Sequence, residues 1–313
     1  WSSLGRGARL DEDPMPDPFN PVPGRPLRLE AGLRLVLAPN PSPMTERGTN
    51  TWLLGTGAVT VLDPGPPDPA HLRAILAALG PDERVVRIIV SHAHLDHAPL
   101  ARPLAQATGA PVLAFGDASA GRSSRMAGLD GLGGGEGVDT RFAPDNCLPD
   151  GATLDVGGTP LVALHTPGHM GNHLCLLWGD RLFSGDTVMG WAPSLVSPPD
   201  GDLTDFMASL DRIEGLGPMR LFPGHGAPVI DGVGRIRALR AHRRKREAQV
   251  LAALGPAPTP LPALVARVYA DLDPAMHPAA ARNLLAHLID LDHRGLARLD
   301  LGPTPGPTAR LAS

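Results

Sequence analysis

The stretch SHAHLDHAP, Ser91–Pro99, places three histidines and one aspartate within six consecutive positions. It directly follows the apolar run VVRIIV, which is typical of a buried strand. Polar side chains crowded at a strand end are costly to bury without partners, so core packing does not explain this spacing. Side chains of an extended segment alternate between faces, which would direct His92, His94 and Asp96 to one side, with His97 joining from the next turn. The pattern predicts a metal site here.

Three later segments repeat the arrangement of an apolar run, a glycine and a candidate metal ligand. HTPGHMGNH contains His169, LFSGDTV contains Asp186, and LFPGHGAPV contains His225. Glycine allows the backbone to turn sharply at such a point and to direct the next side chain. Imidazole and carboxylate donors without thiolates suit zinc, manganese or iron. Any one of these residues alone has an ordinary explanation, but their recurrence at strand ends strengthens the prediction of a metal site.

The remaining pattern predicts a mixed α/β catalytic region in which short strands outnumber helices. Helical spacing is found in Pro69–Leu79, from Pro99 to Thr108, in Leu203–Leu216 and in Gly234–Leu254. Two sheets packed face to face with helices outside would satisfy this order. Residues 120–151 lack periodicity, which predicts a long loop that is either mobile or part of a functional rim.

The chain divides by composition into four parts. Residues 1–26 form an irregular lead-in rich in Pro, Asp and Gly, and residues 27–255 form the catalytic domain. After the break GPAPTPLP, residues 256–301 carry two helical segments and a short strand, as in a small winged-helix module. Their nearly balanced charges favour packing or homodimer formation over DNA recognition. Residues 302–313 are predicted to form a disordered tail.

Composition limits the class of protein. The apolar fraction of 42% supports a substantial core, and the net charge of −4 disfavours a strongly electrostatic nucleic-acid binder without excluding a local basic groove. The two cysteines, Cys147 and Cys175, form no C-x-x-C motif, which fits a reducing compartment. We find no signal-peptide-like or membrane-spanning apolar run, so a cytoplasmic protein without a membrane anchor is expected.

The ordered set of candidate ligands resembles the metallo-β-lactamase-fold hydrolase superfamily, and GTNTWLLG and VLDPG are similar to its early strands. The resemblance implies an α+β fold, a four-layer αββα sandwich, with two divalent metal ions at its edge. Zinc is the expected metal, with manganese or iron as alternatives. By the same resemblance, His92, His94 and His169 would hold the first metal, Asp96, His97 and His225 the second, and Asp186 both. The implied reaction is hydrolysis by a hydroxide shared between the metals.

A finer resemblance is to the lactamase-beta-like protein 2 group, whose studied members are endoribonucleases. It is carried by TPGHMGNH, DLTDFMASL, LFPGHGAPV, AHRRKREAQVL and the closing module with VYADL and HLIDLDHRG. The implied substrate is single-stranded RNA. The alternatives are a thioester, lactone or other small ester, as in relatives of glyoxalase II, or a non-enzymatic metal-stabilised interaction module. After His97 this chain reads APL where the family often has glycines, so the pocket shape can differ.

Three further features have open roles. Asp96 is a candidate for proton transfer, by resemblance. His173 is predicted to act as a catalytic acid, a substrate contact or an outer partner of the ligands, and ordinary packing at a strand start explains it equally well. Seven basic residues of the helix RIRALRAHRRKREAQVL form either a solvated face or a contact surface for a phosphate backbone.

Overall fold

The computed structural model describes residues 19–129, 132, 134–135, 137–302 and 306–312. Most of the predicted lead-in and part of the predicted tail therefore lie outside the described residues. In the described part of the chain, no helix combines the length and apolar character that a bilayer-spanning segment requires.

The catalytic region contains two sheets. The first has strands in chain order, β1 (Leu27–Glu30), β2 (Leu33–Leu37), β3 (Asn50–Leu54), β4 (Ala58–Leu62), β5 (Arg84–Ile89), β6 (Val112–Ala114) and β7 (Asn146–Cys147). It is antiparallel from β1 to β4 and parallel from β4 to β7. The second has the order β12-β11-β10-β9-β8 and contains β8 (Thr153–Val156), β9 (Thr159–His165), β10 (Leu174–Trp178), β11 (Arg181–Gly185) and β12 (Arg220–Pro223). Only its β11–β12 pair is parallel.

The described chain contains the helices α1 (Pro69–Ala77), α2 (Ala101–Thr108), α3 (Ser124–Ala127), α4 (Leu203–Glu214), α5 (Gly232–Ala253), α6 (Leu261–Val268) and α7 (His277–His293). Helices α1 and α2 cover the outer face of the first sheet, and α4 and α5 cover that of the second. Helices α1 and α4 begin after the N-cap residues Asp68 and Asp202, whose carboxylates accept hydrogen bonds from first-turn amides. Phe206 and Leu210 lie on the buried face of α4 at helical spacing.

Three apolar layers hold these elements together. Between the sheets, the Trp52 ring meets Phe183 and Phe222 edge-on at centroid distances of 5.8 and 5.5 Å. A second layer joins α1 and α2 to the first sheet, and a third joins α4 and α5 to the second sheet. The order helix, sheet, sheet, helix confirms the predicted four-layer sandwich. Because both sheets are covered on both faces, polar side chains collect at the strand ends.

The C-terminal module also has the predicted winged-helix character. Helices α6 and α7 pack against a sheet of order β13-β15-β14, made of β13 (Thr259–Pro260), β14 (Ala297–Asp300) and β15 (Thr308–Leu311). The long helix α5 contributes Val250 and Leu254 to this core, so it is shared by both regions. The boundary predicted at residue 255 stays a prediction.

Three expectations about local structure are wrong. Helix α2 begins at Ala101 and not at Pro99, because the backbone of residues 97–100 still belongs to the turn that presents the candidate ligands. The segment 120–151 contains α3 and the strand β7, which pairs with β6. The predicted disordered tail contains β15, whose pairing with β14 satisfies its backbone hydrogen bonds. Residues 303–305 and 313 of that tail lie outside the described residues.

We expect the buried imidazole of His287 in α7 to make stability depend on pH. Within the described structure neither ring nitrogen has a hydrogen-bond partner. Burial, followed by the charge of Arg243, lowers its pKa to about 3, against about 6.5 in the unfolded chain. As the pH falls from about 6.5 towards 3, the unfolded chain binds a proton that the folded chain does not, so stability decreases over that window.

The measurement is urea unfolding of the wild type and of His287→Leu at pH 7.5 and at pH 4.5. The leucine cannot titrate, so the variant should lose less stability than the wild type between the two pH values. Equal losses in both proteins would show that this imidazole does not contribute.

Candidate metal centre

The candidate ligands of the SHAHLDHAP stretch are presented by a turn. Strand β5 ends at Ile89, and the amides of His97 and Ala98 both donate to the carbonyl of His94, at 3.0 and 2.9 Å. The expectation that His92, His94 and Asp96 share one face by strand alternation is therefore wrong. The turn separates them into two groups, with Asp96 beside His97.

Three other strand ends supply the remaining candidates, as the sequence predicts. His169 follows β9, Asp186 follows β11, and His225 follows β12. These three side chains are buried, with 7%, 7% and 1% of their surface exposed. The ends of β5, β9, β11 and β12 thus converge at one edge of the sandwich.

The donor atoms form two groups, and in each group they lie within 4.8 Å of one another. The first group is His92, His94, His169 and Asp186, and the second is Asp96, His97 and His225. Asp186 also reaches the second group, because its Oδ1 lies 3.6 Å from His97 Nε2 and its Oδ2 lies 3.4 Å from His225 Nε2. Its Oδ2 is 3.7 Å from His169 Nε2. The structure thus brings all seven predicted residues together, and the assignment of each to a particular metal stays a prediction.

Hydrogen bonds behind the rings determine which imidazole nitrogens face the centre. Nδ1 of His169 donates to the carbonyl of Leu195 at 2.7 Å, and Nδ1 of His225 donates to the carbonyl of Gly48 at 3.1 Å. Nε2 of each ring therefore faces the centre, and it carries the lone pair when the ring is neutral. His97 Nε2 and His225 Nε2 lie only 3.2 Å apart. A cluster of facing lone pairs is what a divalent cation requires.

The carboxylate between the two groups supports the same interpretation. Asp186 Oδ1 is buried and has no hydrogen-bond partner in the described structure. Burial acts to raise the pKa of Asp186, but His225 and His97 outweigh it and hold the pKa well below its ordinary value. The carboxyl group is thus ionised and available. The donor set fits metal ions, and these residues could hold two of them.

The histidines of the two donor groups differ in their pKa values. Burial, followed by the neighbouring His169, lowers the pKa of His94 to about 3. Burial also acts to lower the pKa of His225, but Asp186 and Asp96 raise it to about 9. The three imidazoles of the first group are therefore neutral, whereas the aspartates beside the second group favour the protonated forms of His97 and His225.

A buried aspartate that the sequence analysis did not single out supports both groups from behind. Asp63 follows β4 in the VLDPG motif and is 1% exposed. Its Oδ2 accepts hydrogen bonds from Ser91 Oγ at 2.7 Å and from His97 Nδ1 at 3.1 Å, and its Oδ1 accepts from the Ser91 amide at 2.7 Å. Ser91 Oγ in turn accepts from His92 Nδ1 at 2.9 Å. Asp63 thereby orients one histidine of each group.

His173 lies behind Asp186 and does not line the cavity. It is fully buried, and its Nε2 accepts a hydrogen bond from the Asp186 amide at 3.2 Å. Its Nδ1 lies 3.0 Å from Thr166 Oγ1 and 3.2 Å from Thr187 Oγ1. Burial holds its pKa well below the ordinary value. This position matches the outer-partner alternative and not contact with a substrate, so we treat His173 as a positioning residue.

The centre opens into a cavity of about 510 Å³. Its floor is formed by His94, Asp96, His169, Asp186 and His225. The apolar wall consists of Pro43, Met44, Met189, Trp191, Ala192, Pro193, Leu195, Pro278 and Ala279. Gly135 and Gly137 lie on its rim, as the functional-rim alternative for residues 120–151 expects. Arg282 of α7 is the one lysine or arginine among the described lining residues, and it donates to Ser197 Oγ at 2.9 Å.

We expect Gly224→Ala to disturb the centre directly. A Cβ at this position would lie 2.7 Å from His97 Cε1 and would also overlap Asp186 Oδ1. Because a misplacement of about 1 Å near reacting groups can cost about 100-fold in rate, activity should fall by about 10- to 100-fold. The measurement combines hydrolysis with metal content. Gly255→Ala is the matched control, since nothing lies within 4 Å of its Cβ. Equal activity of both variants would contradict the observed packing.

Comparison with known proteins identifies the class. Residues 44–225 match the family described as Metallo-beta-lactamase superfamily, and residues 261–300 match the family described as Beta-lactamase associated winged helix domain. The chain belongs to the metallo-β-lactamase superfamily and carries its associated winged-helix domain. It is therefore a metal-dependent hydrolase. This membership sets aside the non-enzymatic interaction module.

Two named relatives show which members of the superfamily this chain is similar to. The chain is 31% identical over 279 residues to Beta-lactamase-like protein 2 homolog of Drosophila melanogaster, covering 87% of this chain and 91% of the relative. It is also 31% identical over 226 residues to Atrochrysone carboxyl ACP thioesterase of Aspergillus fumigatus, covering 70% of this chain and 64% of the relative.

Solved structures show the same fold. A Beta-lactamase domain protein from Burkholderia ambifaria superposes with a TM-score of 0.79 at 24% identity, covering 94% of this chain and 95% of that chain. A metallo-beta-lactamase family protein from Thermus thermophilus gives a TM-score of 0.68 at 25% identity, covering 89% and 98%. Both matches extend beyond the catalytic region into the C-terminal module.

Proposed function

We propose that this protein hydrolyses an ester or thioester with an apolar acyl group. The observation that carries the proposal is the apolar wall of the cavity, which stands beside the donor cluster and includes Met44, Met189 and Trp191. Sites for small molecules are usually concave and apolar with a few convergent polar groups. The name of the A. fumigatus relative, a thioesterase, agrees with this substrate class.

The residues that would hold the metals are the two groups described above, with Asp186 shared between them. When bound, two divalent cations supply Lewis-acid polarisation of the scissile carbonyl and lower the pKa of water. The chain itself contributes positioning, because the hydrogen bonds to Leu195, Gly48 and Asp63 hold His169, His225 and His97 in fixed orientations.

Asp96 is suited to moving a proton at the mouth of the centre. Its side chain is 28% exposed, whereas His97 and His225 beside it are almost completely buried. Its Oδ2 lies 3.1 Å from His225 Nε2 and 3.5 Å from Thr49 Oγ1. Neighbouring His97 and His225 overcome the effect of burial and hold its pKa below the ordinary value, so the carboxylate is ionised. Its partly exposed position, and not its basicity, is what suits it to pass a proton between the centre and the solvent.

Single-stranded RNA is the second candidate substrate, and basic residues of α5 favour it. Within the described structure Arg243, Lys245 and Arg246 have no carboxylate partner. They line a second cavity, and Pro193 lines both that cavity and the one at the metal centre. Similarity to the Beta-lactamase-like protein 2 homologs agrees with this alternative. The mainly apolar wall of the cavity favours the acyl substrate.

The experiment compares a series of acyl thioesters with a fluorescent single-stranded RNA, using protein loaded in turn with zinc, manganese or iron. Thiol release is followed with a disulfide dye. If the wall binds the acyl group, kcat/KM should rise by about fourfold per methylene, which corresponds to about 0.8 kcal/mol. Trp191→Ala should flatten this dependence. Cleavage of RNA without cleavage of any thioester or ester would contradict the proposed acyl substrate and favour single-stranded RNA.

A further inference from the structure

A second cavity lies between α5 and the C-terminal module. Its volume is about 280 Å³, close to the lower end of the range for small-molecule sites. Arg243, Lys245 and Arg246 of α5 line it, together with Tyr269 and Asp271. We call it the interdomain pocket. It is separate from the metal centre, and the proposed hydrolysis does not use it.

The charge on this part of α5 is not neutralised by the protein. Towards the helix N-terminus, Arg237 pairs with Glu214 at 2.7 Å, and Arg240 pairs with Asp211 and Glu214. By contrast, no carboxylate of the described chain lies within ion-pair distance of Arg243, Lys245 or Arg246. Arg246 instead stacks over the Tyr269 ring at 4.2 Å. Three cations therefore surround a pocket that has one acidic residue in its lining.

Arg243 is the strongest indication that this pocket accepts an anion. It is only 4% exposed, yet its partners are neutral groups, namely Asn283 Oδ1 at 3.1 Å, the Ser194 carbonyl and the Phe206 ring at 5.2 Å. Its Nε is buried without a hydrogen-bond partner in the described structure. Burial lowers its pKa to about 10. A buried cation without a counter-charge is unfavourable, so a bound anion would stabilise this arrangement.

We propose that the interdomain pocket binds a phosphate group. Two guanidinium groups and one ammonium group line the pocket. Arg243 donates to Asn283 and Ser194 and Arg246 donates to Val268, but Arg243 Nε has no partner in the described structure, and the three positive charges together suit a multiply charged oxyanion. The phosphate can belong to an RNA strand or to a pantetheine-type carrier of an acyl thioester. The inference goes beyond the proposed hydrolysis and does not rest on which substrate is cleaved.

The pocket and the metal centre share one segment of chain. Pro193 lines both cavities, and Ser194 accepts the hydrogen bond from Arg243. The next carbonyl, that of Leu195, accepts from His169 Nδ1 at 2.7 Å. A phosphate in the pocket would therefore lie on the far side of the segment that orients a candidate ligand. A substrate extending past Pro193 could contact both cavities.

The test measures binding of inorganic phosphate to the full-length, metal-loaded protein by isothermal titration calorimetry. Lys245→Ala and Arg244→Ala form a matched pair. Both side chains are exposed, and each substitution removes one positive charge from adjacent positions of α5. Of the two residues, Lys245 lines the pocket and Arg244 does not. Phosphate that binds at the metal centre contributes equally in the wild type and in both variants, so it does not affect the comparison. We expect Lys245→Ala to weaken the pocket's affinity at least fivefold and Arg244→Ala to change it less than twofold.

Two results would overturn the inference. The first is that Lys245→Ala binds phosphate as tightly as the wild type does. The second is that Lys245→Ala and Arg244→Ala lose phosphate affinity to the same extent. Competition by coenzyme A or by a short single-stranded RNA then distinguishes the source of the phosphate. In either case the competition must weaken in Lys245→Ala, and competition that survives this substitution counts against the pocket. Circular dichroism of each variant confirms that folding is retained.

Discussion

Asp186→Ala is expected to abolish hydrolysis and to weaken metal binding at both donor groups. Asp186 is the side chain that approaches both groups, with its oxygens 3.4 to 3.7 Å from Nε2 atoms of His97, His169 and His225. Loss of a group that merely orients a ligand typically costs about 10- to 100-fold in metal affinity or activity. Loss of the shared carboxylate should therefore cost more than about 100-fold.

The measurement pairs metal content after dialysis with the rate of hydrolysis of whichever substrate the wild type cleaves. Asp82→Ala is the control, since this exposed carboxylate has no partner among the described residues. We expect the control to retain its metal and its activity. A variant at Asp186 that keeps two metals and at least a tenth of the wild-type rate would contradict the assignment of this residue as the shared ligand.

The candidate ligands could be predicted from sequence because each follows an apolar run and a turn, and because several such segments occur in one chain. His169, Asp186 and His225 lie where that reasoning places them. The route by which the first segment presents its ligands was not predictable in the same way. Strand alternation predicts a shared face up to Asp96, but β5 ends at Ile89 and is followed by a turn whose amides donate to the His94 carbonyl.

Features that depend on packing between distant segments could not be predicted from the sequence. The charges of α5 divide into a neutralised half and an uncompensated half only because α4 provides Asp211 and Glu214 beside Arg237 and Arg240. Likewise, Arg282 reaches the catalytic cavity because α7 packs against the catalytic region, where Asn283 Oδ1 accepts from the Val196 amide at 3.1 Å. Neither arrangement leaves a periodic signal.

Asp63 illustrates why an essential outer partner is harder to find than a ligand. In the sequence it is a single acidic residue after an apolar run, next to Pro64, and a turn explains it adequately. Its backbone adopts a φ of +50°, an uncommon conformation for a residue other than glycine. Such a conformation is maintained only when the surroundings determine it, and here three hydrogen bonds to Asp63 do so.

Asp63→Asn should lower metal affinity or activity by about 10- to 100-fold while preserving the fold. An amide keeps the shape of the carboxylate, but it can offer only one oxygen as acceptor, whereas Asp63 accepts hydrogen bonds at both oxygens from Ser91 and His97. Either the Nδ1–H of His97 and the Ser91 hydroxyl, which share Oδ2, or the Ser91 amide, which donates to Oδ1, would then face a donor, and the network that orients the ring of His97 would be disturbed.

Ser91→Ala separates the two branches of this network. It removes the link from Asp63 to His92 but leaves the direct hydrogen bond between Asp63 and His97. If Asp63 acts on both donor groups, Asp63→Asn should weaken binding of both metals, whereas Ser91→Ala should mainly affect the metal held by His92, His94 and His169. Stepwise metal titration resolves the two sites. Identical losses in the two variants would mean that Asp63 acts only through Ser91, and the direct hydrogen bond to His97 would then have no role in holding the second metal.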